Sequence, residues 1–145
     1  MLRHQHTPEI AQSFARGAGK PVRLTFTPHL LPIKRGILST ASARLASGIS
    51  ANAPAEALRA AYRDEPLVEV LDTPEQVSIA RTVGTPRAAV SVSTADSSFD
   101  PGRVVVVSSI DNLLKGAASQ AVQNLNLLLG LPERTALEPV PGVSP

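Results

Sequence analysis

Hydrophobic residues recur at every second position in several stretches of the chain, which is the period of strands with one buried face. Val22, Leu24 and Phe26 alternate with polar residues in this way. The predicted strands are residues 22–26, 36–46, 67–71, 88–94 and 103–107. The last of these is uninterruptedly apolar, which predicts a strand buried on both faces. A polar loop at 96–102 separates it from the strand before and predicts a hairpin.

Three helices are predicted from caps and helical spacing. The first begins with Thr7 as cap, Pro8 in the first turn and Glu9 near the positive end of the dipole. The second spans 54–62, and the third spans 112–129 with Asp111 or Asn112 as its cap. An extended tail follows. This order predicts an α+β domain: a mixed, mostly antiparallel sheet with helices packed on it, ending in a long C-terminal helix.

Composition narrows the class of protein. The 145 residues are 43% hydrophobic and only 3% aromatic, which suits one domain with an aliphatic core. A net charge of +2 without a basic block argues against nucleic-acid binding. The absence of cysteine excludes disulfides and thiol catalysis by this chain. No apolar run approaches the ~18 residues of a membrane span, and no signal-peptide core is present, so a cytoplasmic protein is expected.

The first six residues contain a candidate catalytic group, His4 and His6, followed by Glu9. If residues 4–6 are extended, both imidazoles point to one side. The positive end of the next helix then disfavours imidazolium, which keeps a histidine neutral, as a general base must be. Two other interpretations stay open. One is a polar, frayed terminus or tag remnant, and the other is a metal site formed by these three side chains.

Two further stretches contain candidate ligand-binding residues. Lys34 and Arg35 precede Gly36, a pattern that can hold a carboxylate or phosphate, with an ordinary solvated turn as the alternative. Asn112 stands at the start of the last helix, beside small residues that permit close backbone approach. It could present its amide to a ligand, and a capped core helix is the alternative.

These stretches, in this order and spacing, resemble one family over nearly the whole chain. The segments that carry the resemblance are residues 4–10 (HQHTPEI), 26–32 (FTPHLLP), 35–40 (RGILST), 111–126 (DNLLKGAASQAVQNLN) and 130–133 (GLPE). They are similar to the N-acetyl-gamma-glutamyl-phosphate reductases, whose C-terminal domain is like that of glyceraldehyde-3-phosphate dehydrogenase. The weakest stretch is 47–100.

The resemblance implies an activity in arginine biosynthesis, the NADPH-dependent reduction of N-acetyl-glutamyl phosphate to the semialdehyde and phosphate. In the family a cysteine attacks the acyl phosphate, hydride reduces the thioester, and a histidine handles protons. The family pairs an N-terminal Rossmann domain with a C-terminal catalytic and dimerisation domain, and the last helix packs back towards the cofactor domain. A homo-oligomer formed through the sheet is expected.

Roles follow residue by residue from the resemblance. His4 matches the acid/base histidine of a His-x-His-x-Pro-Glu motif, and Gln5 stands where the family usually has Arg. His6 matches a residue of the substrate pocket, as does Glu9. Arg35 is expected to hold substrate anions, and Asn112 to lie near the nicotinamide. No metal ligand is implied.

The departure from the family is the lack of a cysteine nucleophile and of a Gly-rich dinucleotide loop in residues 1–145. We therefore expect this chain to be the C-terminal catalytic and dimerisation domain, with the NADP-binding domain missing, and to be inactive alone. A truncated reading frame, a fragment and one half of a split enzyme stay open. Two other functions also stay open. One is the reduction of a related acyl phosphate, of the carrier-linked lysine pathway or aspartate-semialdehyde type, and the other is that of a non-catalytic dimerisation module. The apolar stripe of the last helix is predicted to be partly uncovered.

Overall fold

The structure, a computed structural model, describes residues 4–95 and 100–137. The chain divides into two compact units, Met1–Ile33 and Lys34–Pro145. The expected extended tail lies outside the described residues, and so do residues 96–99 of the expected β-hairpin loop.

The first unit is built on helix α1, Thr7–Ala18. Pro8 lies in its first turn, and the helix ends at Gly19, whose left-handed φ of 65° is readily adopted by glycine. The predicted cap was wrong, because His6 occupies the cap position and Thr7 is already helical. The predicted strand at 22–26 was also wrong. Its apolar side chains are half-buried in alternation as expected, but its backbone joins no sheet.

The second unit contains a four-stranded sheet in the order β1-β4-β3-β2. The strands are β1 (Ile37–Arg44), β2 (Val68–Val70), β3 (Ala88–Ala95) and β4 (Arg103–Ile110). The β1–β4 and β3–β4 pairs are antiparallel, while β2 and β3 are parallel. The predicted α+β class, the mixed sheet and the β3–β4 hairpin are therefore confirmed.

The helices of this unit lie between β1 and β2, between β2 and β3, and after β4 in the chain. They are α2 (Ala53–Ala61), a 3-10 turn (Pro74–Gln76), α3 (Ile79–Thr82), a π-helix (Leu114–Ala118) and α4 (Ser119–Leu128). The sequence did not predict the 3-10 turn and α3, which are each at most one turn long. The predicted single helix at 112–129 proves to be a π-helix that continues into an α-helix.

The apolar core lies on the β3 side of the sheet. Leu67, Val77, Ala89 and Val92 are its buried hydrophobic residues among those described. β1, at the opposite edge, is exposed along its whole length, and its partner β4 is half-buried. The prediction that β4 is buried on both faces was therefore wrong, because all but one of its residues remain partly exposed.

Candidate functional site

The N-terminal histidines form one cluster in the first unit. The ring centroids of His4 and His6 are 5.0 Å apart in an edge-on arrangement, and the ring of Phe26 meets His4 in the same manner at 5.2 Å. The expectation that residues 4–6 are extended was wrong, since His6 has helical backbone angles. The turn nevertheless brings the two imidazoles together, and it does so by folding the chain back.

The contact of His4 with the backbone determines which of its nitrogens can act. Its Nδ1 accepts a hydrogen bond from the backbone N–H of His6 at 3.3 Å. A neutral imidazole whose Nδ1 is an acceptor carries its proton on Nε2. His4 in this state therefore presents an N–H donor at Nε2 and has no free basic nitrogen. Accepting a proton at Nδ1 requires the contact with His6 to open.

Glu9 lies in the first turn of α1 on the exposed side. Among the described residues, no three histidine, aspartate or glutamate side chains are grouped so as to hold a metal ion, and this includes His4, His6 and Glu9. The hydroxyl of Thr7 is buried in the same turn and has no partner within the part of the chain that the structure describes.

Arg35 belongs to the second unit and is not a free cation. Its Nη2 lies 3.1 Å from Oδ1 and 3.0 Å from Oδ2 of Asp111. The Arg35 side chain is 37% exposed, whereas that of Asp111 is fully buried. The Nε of Arg35 is buried, and no described residue accepts its hydrogen bond. Since Asp111 already neutralises the guanidinium, a second anion would meet a weakened field there.

Asp111 is the centre of this cluster. One carboxylate oxygen accepts the backbone N–H groups of Leu113 (2.8 Å) and Leu114 (3.0 Å), and the other accepts that of Gly84 (2.8 Å). Burial raises the pKa of the carboxyl, but the three backbone donors and Arg35 outweigh it and hold the pKa at about 2. The carboxylate is thus ionised at neutral pH and fully hydrogen-bonded.

Asn112 is held beside this ion pair. Its Oδ1 accepts the backbone N–H of Gly36 at 2.7 Å. The segment that follows is a π-helix, in which the amides of Gly116 and Ala118 reach the carbonyls of Asp111 (2.9 Å) and Leu113 (3.0 Å). Such π-turns within helices occur frequently at functional sites. Arg35 and Asn112, both predicted from the sequence, therefore belong to one cluster.

Helix α4 turns its polar side inward. Gln123 accepts a hydrogen bond from Lys115 Nζ at 2.6 Å and donates to Glu133 at 2.7 Å. Asn126 donates to the carbonyls of Glu133 (3.0 Å) and Thr135 (2.9 Å). These bonds attach residues 132–135 to the helix. Burial lowers the pKa of Lys115, and the charge of Glu133 acts against this.

The opposite side of α4 is apolar and exposed. Leu125 is 52% and Leu128 84% exposed, and Leu129 is also mostly exposed. The prediction of an uncovered apolar stripe on this helix is confirmed. A contiguous exposed apolar surface of this kind is typical of a contact with another protein segment.

Sequence reasoning did not assign a site role to Asp111. Its only local signal is an aspartate two and three residues before the amides of a helix start, which predicts a cap. The contacts with Arg35 and Gly84 come from segments 76 and 27 residues away, and no pattern in the sequence indicates them.

The class of protein follows from the comparison with known families. Residues 1–112 match the family described as semialdehyde dehydrogenase, dimerisation domain. This stretch includes all four strands and every predicted site residue. The chain belongs to this family. Among the described residues, no helix is long and apolar enough to cross a membrane.

The relatives that the chain resembles are N-acetyl-gamma-glutamyl-phosphate reductases. It is 46% identical to that of Acidothermus cellulolyticus over 92% of this chain and 38% of the relative. It is 49% identical to those of Pelotomaculum thermopropionicum and Frankia casuarinae, over 98% of this chain and 40% of each relative. The resemblance drawn from the motifs is thus confirmed. The chain spans about two fifths of the length of the curated relatives it matches.

Proposed function

We propose that this chain is the C-terminal catalytic and dimerisation part of an NADPH-dependent reductase of arginine biosynthesis. Its substrate would be N-acetyl-glutamyl phosphate and its products the semialdehyde and phosphate, formed in the cytoplasm. The single observation that carries the proposal is the identity of 49% over 98% of the chain to the N-acetyl-gamma-glutamyl-phosphate reductase of Pelotomaculum thermopropionicum.

The chain cannot supply the attacking thiolate, because it contains no cysteine. We infer that a second stretch of polypeptide, corresponding to the other three fifths of the relatives, provides the nucleophile and most of the NADP site. When bound, NADPH supplies the hydride that reduces the thioester. The residues of this chain would handle protons and orient the two ligands, and the chain alone would be inactive.

His4 would transfer the protons. To take the proton of the thiol, His4 needs a free ring nitrogen, so its Nδ1 contact with the His6 amide would open in this activating step. The imidazolium formed in this way would then return a proton to the oxygen that becomes negative when the thioester is reduced, which leaves His4 neutral again. His6 and Glu9, both exposed, would line the substrate pocket.

Arg35 and Asn112 would orient the ligands. Arg35 retains part of its side chain at the surface, where a substrate oxygen can meet it, while Asp111 fixes the rest. The amide of Asn112 is oriented through its Oδ1, which leaves Nδ2 to donate to a carboxamide oxygen such as that of nicotinamide. The described residues therefore fit a nicotinamide cofactor at this end of the sheet.

A reconstitution assay tests the proposal. The purified chain is mixed with a separately expressed fragment of the Pelotomaculum thermopropionicum relative that precedes the matched region. The reverse reaction is followed as NADP reduction that requires both the semialdehyde and phosphate. We expect activity from the mixture only, its loss by a factor of about 100 or more in His4→Ala, and little change in His29→Ala, an exposed histidine of the same unit. A folded, associating mixture without activity would refute the proposal.

The second candidate function is a non-catalytic dimerisation module, favoured by the exposed edge strand β1 with Ile37 and Leu38 near half-exposed. A free edge and an uncovered sheet face are suited to self-association through the sheet. Sedimentation of the wild-type chain and of its Leu38→Lys variant would show whether the chain associates through β1. Association without any reconstituted activity would favour the module over the enzyme, and so would a chain that dimerises but never binds the complementary fragment.

A further inference from the structure

Two adjacent cross-links join the turn before β1 to the segment after β4. In one, the Arg35 guanidinium meets the Asp111 carboxylate, and in the next, the Gly36 amide meets the Asn112 side chain. They directly continue the β1–β4 ladder, whose first residue pair is Ile37 with Ile110. The side chains thus extend the sheet where its backbone pairing ends.

We propose that Asp111 is a positioning residue, which sets the relative placement of the Arg35 guanidinium and the Asn112 amide. The carboxylate touches neither substrate nor cofactor in this scheme and acts through its two neighbours. The consequence for turnover rests on the function proposed above, whereas the consequence for the local structure does not.

The contacts exceed what a helix cap requires. A cap needs one oxygen that accepts the amides of Leu113 and Leu114, and Asp111 Oδ1 does this. Its other oxygen accepts the Gly84 amide from the loop after α3, and both oxygens face Arg35. Asp111 therefore holds three separate segments together at one buried point.

Asparagine at this position would retain the cap but not the positioning. Its oxygen could still accept from Leu113 and Leu114. Its NH₂ group would face the Gly84 N–H, donor against donor, and Arg35 would lose its counter-charge. Asn112, next in the chain, would then no longer be fixed relative to Gly36. Asp111→Asn therefore disrupts the contacts with Gly84 and Arg35 and keeps those with the amides of Leu113 and Leu114.

Hydrogen exchange followed by NMR tests the structural part of this proposal in the 145-residue chain. In Asp111→Asn we expect the Gly36 amide, which does not contact Asp111, to exchange about tenfold to a hundredfold faster, the effect of losing hydrogen bonds to a charged group. Amides in the centre of β3 and β4 should be unaffected relative to the control Glu69→Gln, which removes an exposed ion pair with Arg81. Equal acceleration throughout the sheet, or none at Gly36, would overturn the proposal.

If Asp111→Asn does not fold, Arg35→Gln carries the same test. It removes one partner of Asp111 and leaves the cap intact, and an unchanged Gly36 amide in that variant would also overturn the proposal. The double variant Arg35→Gln/Asp111→Asn restores a neutral side-chain pair and should recover part of the Gly36 protection.

Kinetics of the reconstituted enzyme test the part of the proposal that concerns turnover. Per folded molecule, Asp111→Asn should raise KM for phosphate in the reverse reaction about tenfold or more, because the lost orientation of Arg35 outweighs the stronger field left by removing its counter-charge, whereas Glu69→Gln should not. A change confined to the yield of folded protein would show a merely structural role and refute the positioning role. An inactive wild-type mixture would count against the proposed function alone, since the exchange result does not depend on turnover.

Discussion

Protonation of Asp111 should destabilise the second unit at acid pH. In the folded chain the pKa of this carboxyl is held at about 2, against an ordinary value of 3.8. A carboxyl whose pKa is lower in the folded state contributes stability above its unfolded pKa and loses it as the pH falls through the folded pKa. The relevant window is therefore from about pH 5 down to about pH 2. The difference between the two pKa values corresponds to roughly 2 kcal/mol.

Denaturant unfolding of wild type and Asp111→Asn, followed by circular dichroism from pH 6 to pH 2, isolates this contribution. Other carboxyls with lowered pKa, Glu69 and Asp100 among them, titrate equally in both proteins and cancel in the difference. The variant should be less stable at pH 6, and the gap should narrow by roughly 2 kcal/mol towards pH 2. A gap that stays constant over this range would refute the assignment of Asp111 as a carboxylate stabilised by its donors.

Three substitutions, the first with a matched control, test other parts of the structure. Gly36→Ala should cost about 2 kcal/mol or more in urea unfolding, because φ is +106° and the new Cβ would collide with the Ile79 side chain. Gly48→Ala, with φ of +80° and open space, should cost only about 1, and equal costs would contradict the packing argument. Leu128→Glu should lower the binding of an apolar dye and change the free energy of unfolding by less than about 0.5 kcal/mol, since Leu128 is 84% exposed. Unchanged dye binding would contradict an exposed leucine face. Asn126→Ala should lower the free energy of unfolding by about 1–3 kcal/mol, because the carbonyls of Glu133 and Thr135 lose their donor. Hydrogen exchange in residues 132–137 should become faster. Protection there as in wild type would contradict the attachment of this segment to α4.

Local patterns were sufficient for most of the second unit. The alternation at 88–94 and the apolar run at 103–107 predicted the β3–β4 hairpin, and Pro54 marked the start of α2. Alternation at 22–26 misled, because a period of two reports which side chains are buried and says nothing about pairing of the backbone. The short helix Ile79–Thr82 was missed since a single turn has no measurable period.

The candidate site was predictable in its parts but not in its connections. The spacing of His4, His6 and Glu9 and the position of Asn112 were visible in the sequence. The ion pair of Arg35 with Asp111 joins residues 76 positions apart, and only the antiparallel pairing of β1 with β4 brings them together. The π-helix was likewise not predicted, because apolar spacing typical of a helix does not distinguish its hydrogen bonds from those of an α-helix.

Growth without arginine provides the most direct test of the central claim, that this chain is a competent catalytic part of an acyl-phosphate reductase. A bacterial strain lacking its own reductase would co-express this chain and the preceding fragment of the Pelotomaculum thermopropionicum relative. We predict growth on medium without arginine with the wild-type chain and none with His4→Ala. No growth with the wild-type chain, when both polypeptides accumulate and bind each other, would contradict the claim.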